Sequence, residues 1–149
     1  MAARKETNFI AVHCSATRPT MDVGVKEIRK WHKAKGWADI GYHFVIRRNG
    51  RVEDGRAVDQ IGAHVEGFNA VSVGICMVGG VKDDDFTKPE NNFTPAQFAS
   101  LEKLCRAMKE KYPHAIVQGH RDFPNVAKAC PSFDAKGWAI EHGLSPENA

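Results

Sequence analysis

The sequence predicts one domain of the mixed α/β class: a central mixed β-sheet flanked by helices. Three observations carry that expectation. Apolar runs at Phe9–Val12, Val71–Val78 and Ala115–Gly119 read as buried strands. Two segments of helical spacing lie between them, and an Asn-Gly pair marks a hairpin. The elements mix without strict βαβ alternation, which favours a mixed sheet over a purely parallel one. A chain of 149 residues suits a single domain, with a core expected from Phe9 to His142.

Each element has a local cause. Phe9-Ile10-Ala11-Val12 reads as a buried strand ending at His13. Val25 to Lys35 follows with Val25, Ile28 and Trp31/His32 at helical spacing, and Gly36 is its natural stop. Gly41 to Ile46 and Arg51 to Glu53 flank Arg48-Asn49-Gly50, where both Asn and Gly tolerate positive φ. Val71 to Val78 is nearly continuous in apolar residues and suits a central strand covered on both faces.

The clearest helix begins at Thr94, with Pro95 in the first turn and Gln97 completing a capping box. Phe93 and Phe98 stand where a hydrophobic staple forms. Phe98, Leu101, Leu104, Cys105 and Met108 make one apolar stripe, and Pro113 ends the helix. Ala115 to Gly119 is a further strand that delivers His120. A last helix is expected from Phe133 to His142 with Ser132 as its cap, and Asp83-Asp84-Asp85 as a solvated loop.

Composition limits the function classes. A formal net charge of +3 is too small to argue for nucleic-acid binding. No apolar run approaches the ~20 residues of a membrane span. The N-terminus is polar and lacks the apolar stretch of a secretory signal, so synthesis in a reducing cytoplasm is expected. Cys14, Cys76, Cys105 and Cys130 show no Cys-x-x-Cys spacing, and no His-Glu-x-x-His motif suggests a zinc peptidase.

Six short motifs then occur in order: Val12-His13-Cys14-Ser15-Ala16-Thr17, Gly41-Tyr42-His43-Phe44, Gly62-Ala63-His64, Ser72-Val73-Gly74-Ile75, Gly119-His120-Arg121-Asp122 and Cys130-Pro131. Together they resemble the type-2 N-acetylmuramoyl-L-alanine amidases, whose zinc fold is shared with peptidoglycan recognition proteins. The match is to the single-domain phage lysozyme branch and runs from about Phe9 to Trp138. The resemblance implies His13, His120 and Cys130 as ligands of Zn²⁺, with Tyr42 and Lys128 as catalytic residues. Three protein ligands would leave zinc a fourth position for water, as a hydrolase needs. A related cytoplasmic recycling branch uses an acidic third ligand, against which Cys130 argues.

The same resemblance implies peptidoglycan as substrate, cut between N-acetylmuramic acid and L-alanine by a phage endolysin; a monomer is expected. The polar N-terminus and the lack of a separate wall-binding segment suit an endolysin expected to be made in the host bacterial cytoplasm and to reach the wall after release by another protein. Two alternatives stay open: a non-catalytic peptidoglycan-binding module, and an added role binding and inhibiting phage RNA polymerase.

The remaining candidates divide by position. Cys14 follows His13 on a strand and points to the opposite face, so it reads as a core thiol, as does Cys76. His43 alternates with Tyr42 and reads as structural or as a residue orienting a ligand. His64 either lines the substrate groove or is a solvent-exposed loop histidine. His32, His114 and His142 read as surface residues, Trp31, Trp37 and Trp138 as core or groove-wall aromatics. Arg121 and Asp122 are expected to brace the His120 loop through a salt bridge.

Overall fold

The computed structural model describes residues 2–146. Its elements are β1 (Phe9–Cys14), α1 (Val25–Ala34), β2 (Phe44–Ile46), β3 (Val52–Asp54), β4 (Ser72–Met77), α2 (Pro95–Lys111), β5 (Ile116–Gly119) and α3 (Ala135–Glu141). Single 3-10 turns at Asn69–Val71 and His120–Asp122 precede β4 and follow β5. The strands form one five-stranded sheet in the order β3-β2-β4-β1-β5. β2, β4, β1 and β5 run parallel, and β3 pairs antiparallel with β2 through the hairpin. The sheet is mixed, as the sequence predicts.

Strand alternation separates the core from the site. Ile10, Val12 and Cys14 of β1 join Ile75 and Met77 of β4 beneath Leu101, Cys105, Ala135 and Ala139 of α2 and α3. On the other face, Val45 and Cys76 pack with Val25, Ile28 and Ile40, and Ala11 packs with Val65 and Phe123. His13 shares the parity of Ala11 and therefore opens on this second face. Every residue of β4 is buried, which explains why its sequence shows no polar alternation.

Helix α2 starts as its sequence requires. Thr94 Oγ1 accepts from the Gln97 amide at 3.1 Å, and Gln97 Oε1 accepts from the Thr94 amide at 3.0 Å. The Gln97 side-chain amide then donates to the Ile46 and Val78 carbonyls, so one buried residue both caps the helix and ties it to the sheet. Phe93 and Phe98 meet edge to face at 6.1 Å between centroids.

Several expectations are corrected. In the hairpin only Gly50 takes positive φ (+88°). Asn49 does not, and its side-chain oxygen accepts from the Arg51 amide instead. Helix α3 is capped by Asp134, whose carboxylate accepts from the Gly137 amide at 3.0 Å. Ser132, at φ +70°, donates instead to the Gly80 carbonyl. His32 is buried because it continues the Val25–Ile28 face of α1, and its Nδ1 accepts from the Gly41 amide. Arg121 and Asp122 form no ion pair among the described residues. Asp122 accepts from the Gly119 amide at 2.8 Å, and the Arg121 amide donates to the Cys130 carbonyl at 2.9 Å. The His120 loop is thus held by the Asp122 carboxylate and by a backbone hydrogen bond, not by an ion pair. Among the described residues no helix is long and apolar enough to cross a membrane.

Candidate metal centre

His13 lies at the carboxyl end of β1, His120 in the turn that follows β5, and Cys130 in the loop beyond it. Adjacent parallel strands bring the two histidines to the same carboxyl end of the sheet, the usual location of sites in open α/β sheets. One donor atom from each of His13, His120 and Cys130 lies within 4.8 Å of the others. His13 Nδ1 is 4.0 Å from Cys130 Sγ. The Cys14 amide points at the same sulfur from 3.2 Å, a donor placed to stabilise a thiolate.

The protonation states suit a cation. Burial, together with His64, His120 and Lys128, pushes His13 well below the ordinary imidazole value. Burial and then Lys128 lower His120 as well. Both rings are therefore neutral at pH 7, the form that ligates metal. A hydrogen bond shared with Cys14, and then burial, hold the Cys130 thiol well above its usual value. A metal bound there must displace that proton.

Two imidazoles and one thiol, with no carboxylate in the group, fit Zn²⁺ and do not fit the hard oxygen-seeking cations. The residues that would hold zinc are His13, His120 and Cys130. His120 lines an open cavity of about 750 Å³ whose walls also include Trp37, His64, Phe68 and Lys128. This leaves room for a reacting group beside His120.

The other candidates are arranged around this group. The Tyr42 ring lies 5.1 Å from the His13 ring. Burial, followed by Cys76, Cys130 and Cys14, raises its phenol well above the ordinary value, so the group is neutral at pH 7. Its backbone is held by Arg56, whose amide donates to the Tyr42 carbonyl and whose guanidinium donates to the Ile40 and Ile61 carbonyls. Lys128 is exposed on the cavity wall. His64 lines the cavity yet is buried, with Nδ1 2.9 Å from His13 Nε2. His43 accepts from the Gly74 amide at Nδ1 and reaches the Gln60 carbonyl with Nε2. Trp37 stands on the cavity wall, Trp138 packs against the α2–α3 core, and Trp31 is exposed.

Sequence reasoning missed Arg56, Ser72 and Asn69. Asn69 Oδ1 accepts from the His64 and Val65 amides, both at 2.8 Å, and Ser72 Oγ lies 3.4 Å from His64 Nε2. The signal was present in the motifs Gly62-Ala63-His64 and Ser72-Val73-Gly74, which meet where the His64 ring packs on β4. A Cβ at Gly62 would come within 2.8 Å of the His64 ring and 2.9 Å of the His43 ring.

Fold and donor group together define a class: a mixed-sheet domain with a His-His-Cys cluster beside an open cavity that His120 lines. Residues 3–133 match the family model described as N-acetylmuramoyl-L-alanine amidase, and the chain belongs to that family. It is 56% identical over 135 residues to the endolysin of Klebsiella phage KP32, covering 91% of this chain and 87% of the relative. Among solved structures, the N-acetylmuramoyl-L-alanine amidase LysC from Clostridium intestinale URNW superposes with a TM-score of 0.77 at 29% identity. That superposition spans 93% of this chain and 85% of LysC. Drosophila PGRP-LB shares the fold, with a TM-score of 0.78 at 21% identity over 99% of this chain and 88% of its own.

Proposed function

We propose that the protein is a phage endolysin that uses Zn²⁺ to hydrolyse the amide between N-acetylmuramic acid and L-alanine in bacterial peptidoglycan. The observation that carries this reading is the cluster of His13, His120 and Cys130, whose His120 lines an open cavity, in a chain of the amidase family. Bound there, zinc would supply Lewis acidity to a carbonyl and acidify a water.

The protein's own groups do the rest. Trp37 and Phe68 give the cavity an apolar wall against which a glycopeptide lies, with Lys128 on the same wall. The Lys128 ammonium donates to the oxygen that gains charge as the amide carbon becomes tetrahedral. Loss of one such donor costs about 2.7–4 kcal/mol of transition-state stabilisation. The neutral Tyr42 phenol orients the attacking oxygen or hands a proton to the departing L-alanine nitrogen. The protein acts as a monomer, made in the host cytoplasm and delivered to the wall by another protein. An added role in binding phage RNA polymerase rests on the family resemblance and is tested by pull-down with a transcription assay.

Mass spectrometry of muropeptides after digestion of purified cell wall tests the reaction. Peptides beginning with free L-alanine, formed without chelator and absent with it, are the expected result. Binding to the wall with no such product would replace the enzyme with a recognition module.

A further inference from the structure

The His13 side chain has two ring nitrogens, and only one can bear the lone pair that a metal takes. Which one is decided remotely. Ser72 Oγ lies 2.7 Å from the Phe68 carbonyl oxygen, which can only accept, so the single hydroxyl proton of Ser72 is committed there. Towards His64 Nε2, at 3.4 Å, Ser72 Oγ can therefore offer only a lone pair. His64 must carry its proton on Nε2 and leave Nδ1 bare. His64 Nδ1 lies 2.9 Å from His13 Nε2, so His13 must donate there and its Nδ1 is the bare nitrogen. That nitrogen is the one facing Cys130 Sγ. A directed chain thus runs from a backbone carbonyl to the metal group.

The ring that relays this polarity is held in place. Gly74 of β4 leaves no space between the strand and the imidazole: a Cβ there would lie 2.7 Å from His64 Cγ and Cδ2. The two imidazoles meet edge to face at 5.0 Å between centroids and 85° between planes. Asn69 fixes the His64 backbone through two amides. The amide of Gly74, the residue against which the ring packs, is itself tied to His43.

From this geometry we infer that His64 is a positioning residue, which sets the tautomer and orientation of His13 and so prepares the site for zinc. The inference rests on the proposed zinc site. Both ring nitrogens of His64 are spent on protein partners, so it offers the cavity a carbon edge and no free nitrogen for substrate. Partners that orient a metal-binding histidine in this way typically account for about 10–100-fold in metal affinity.

The test measures zinc affinity by chelator competition for the wild type, His64→Leu and His64→Asn, with no substrate present. Asn places a carbonyl oxygen close to where His64 presents Nδ1, so it keeps an acceptor for His13 Nε2–H. His64→Leu should bind zinc about 10–100-fold more weakly, and His64→Asn should recover most of that loss. Nitrogen-detected NMR of the metal-free wild type should place the His13 proton on Nε2, as a slowly exchanging ring proton. This second measurement needs no variant to fold. Wild-type affinity in His64→Leu, no recovery in His64→Asn, or a wild-type His13 protonated on Nδ1 would each overturn the inference. None of these readouts requires peptidoglycan cleavage, so this inference and the enzymatic reading fail separately.

Discussion

Replacing Gly74 by Ala tests whether the His64 ring is truly wedged between β4 and His13. Gly74 has ordinary extended backbone, so the substitution strains no dihedral. In an open strand the change would stabilise the fold by roughly 0.5–1 kcal/mol through reduced chain entropy. Here the new methyl would sit 2.7 Å from two His64 ring carbons and 2.8 Å from Nδ1. Neither side can yield easily: β4 pairs on both edges, and His64 is held by His13, Ser72 and Asn69. Overpacking of this kind costs about 1–3 kcal/mol. If the ring gives way instead, His13 Nε2–H loses its acceptor in a buried site, at about 1–3 kcal/mol. The net expectation is a loss of about 2 kcal/mol, or about 4–8 °C in Tm at 2–4 °C per kcal/mol. Thermal melts of metal-free protein measure it. The double variant Gly74→Ala/His64→Ala should lose little beyond His64→Ala alone, because the methyl then enters vacated space. A Gly74→Ala protein as stable as the wild type, or more stable, would show that the His64 ring is not wedged against β4.

Further expectations concern catalysis, capping and pH. Lys128→Ala should lower turnover about 10²–10³-fold while retaining bound zinc, and normal turnover with metal present would remove Lys128 from the reaction. Tyr42→Phe should also keep its zinc and turn over more slowly, because a donor and not a base is lost; cell-wall turnover and metal content are measured together. Thr94→Ala should cost about 0.5–2 kcal/mol in urea unfolding, as the Gln97 amide loses its acceptor and the Arg48 carbonyl its donor. Burial, the largest cause, lowers His32 and His43 to about 4 each, below their unfolded value of about 6.5. Between those values the unfolded chain binds more protons than the folded one, so their stabilising contribution is present above about 6.5 and is lost as pH falls towards 4. The urea midpoint should be lower at pH 5 than at pH 7, and an equal or higher midpoint would contradict the assignment.

How much was legible beforehand depends on how local the cause is. The Thr94–Gln97 box and the Val71–Val78 run act over neighbouring residues, and both elements form where the pattern places them. Ser132 was a reasonable cap by residue type, but its hydroxyl is engaged by Gly80 across the fold and the role passes to Asp134. His32 followed the Val25–Ile28 stripe, so its burial could have been read from period alone. His64 could not. Its burial depends on Gly74 ten residues later, on a neighbouring strand, and on His13 beyond that. The three-residue donor group likewise draws on segments far apart in the chain, so spacing cannot isolate it. Only the ordered set of motifs pointed there, and the fold gathers those donors within 4.8 Å.

The central claim is that His13, His120 and Cys130 hold one zinc ion on which amide cleavage depends. The most direct measurement follows metal content and release of L-alanine-terminated peptides in the same preparation, before and after exhaustive chelation. One zinc per chain, loss of metal and cleavage together, and recovery of both when zinc is returned are the expected results. Undiminished cleavage by protein stripped of metal would contradict it.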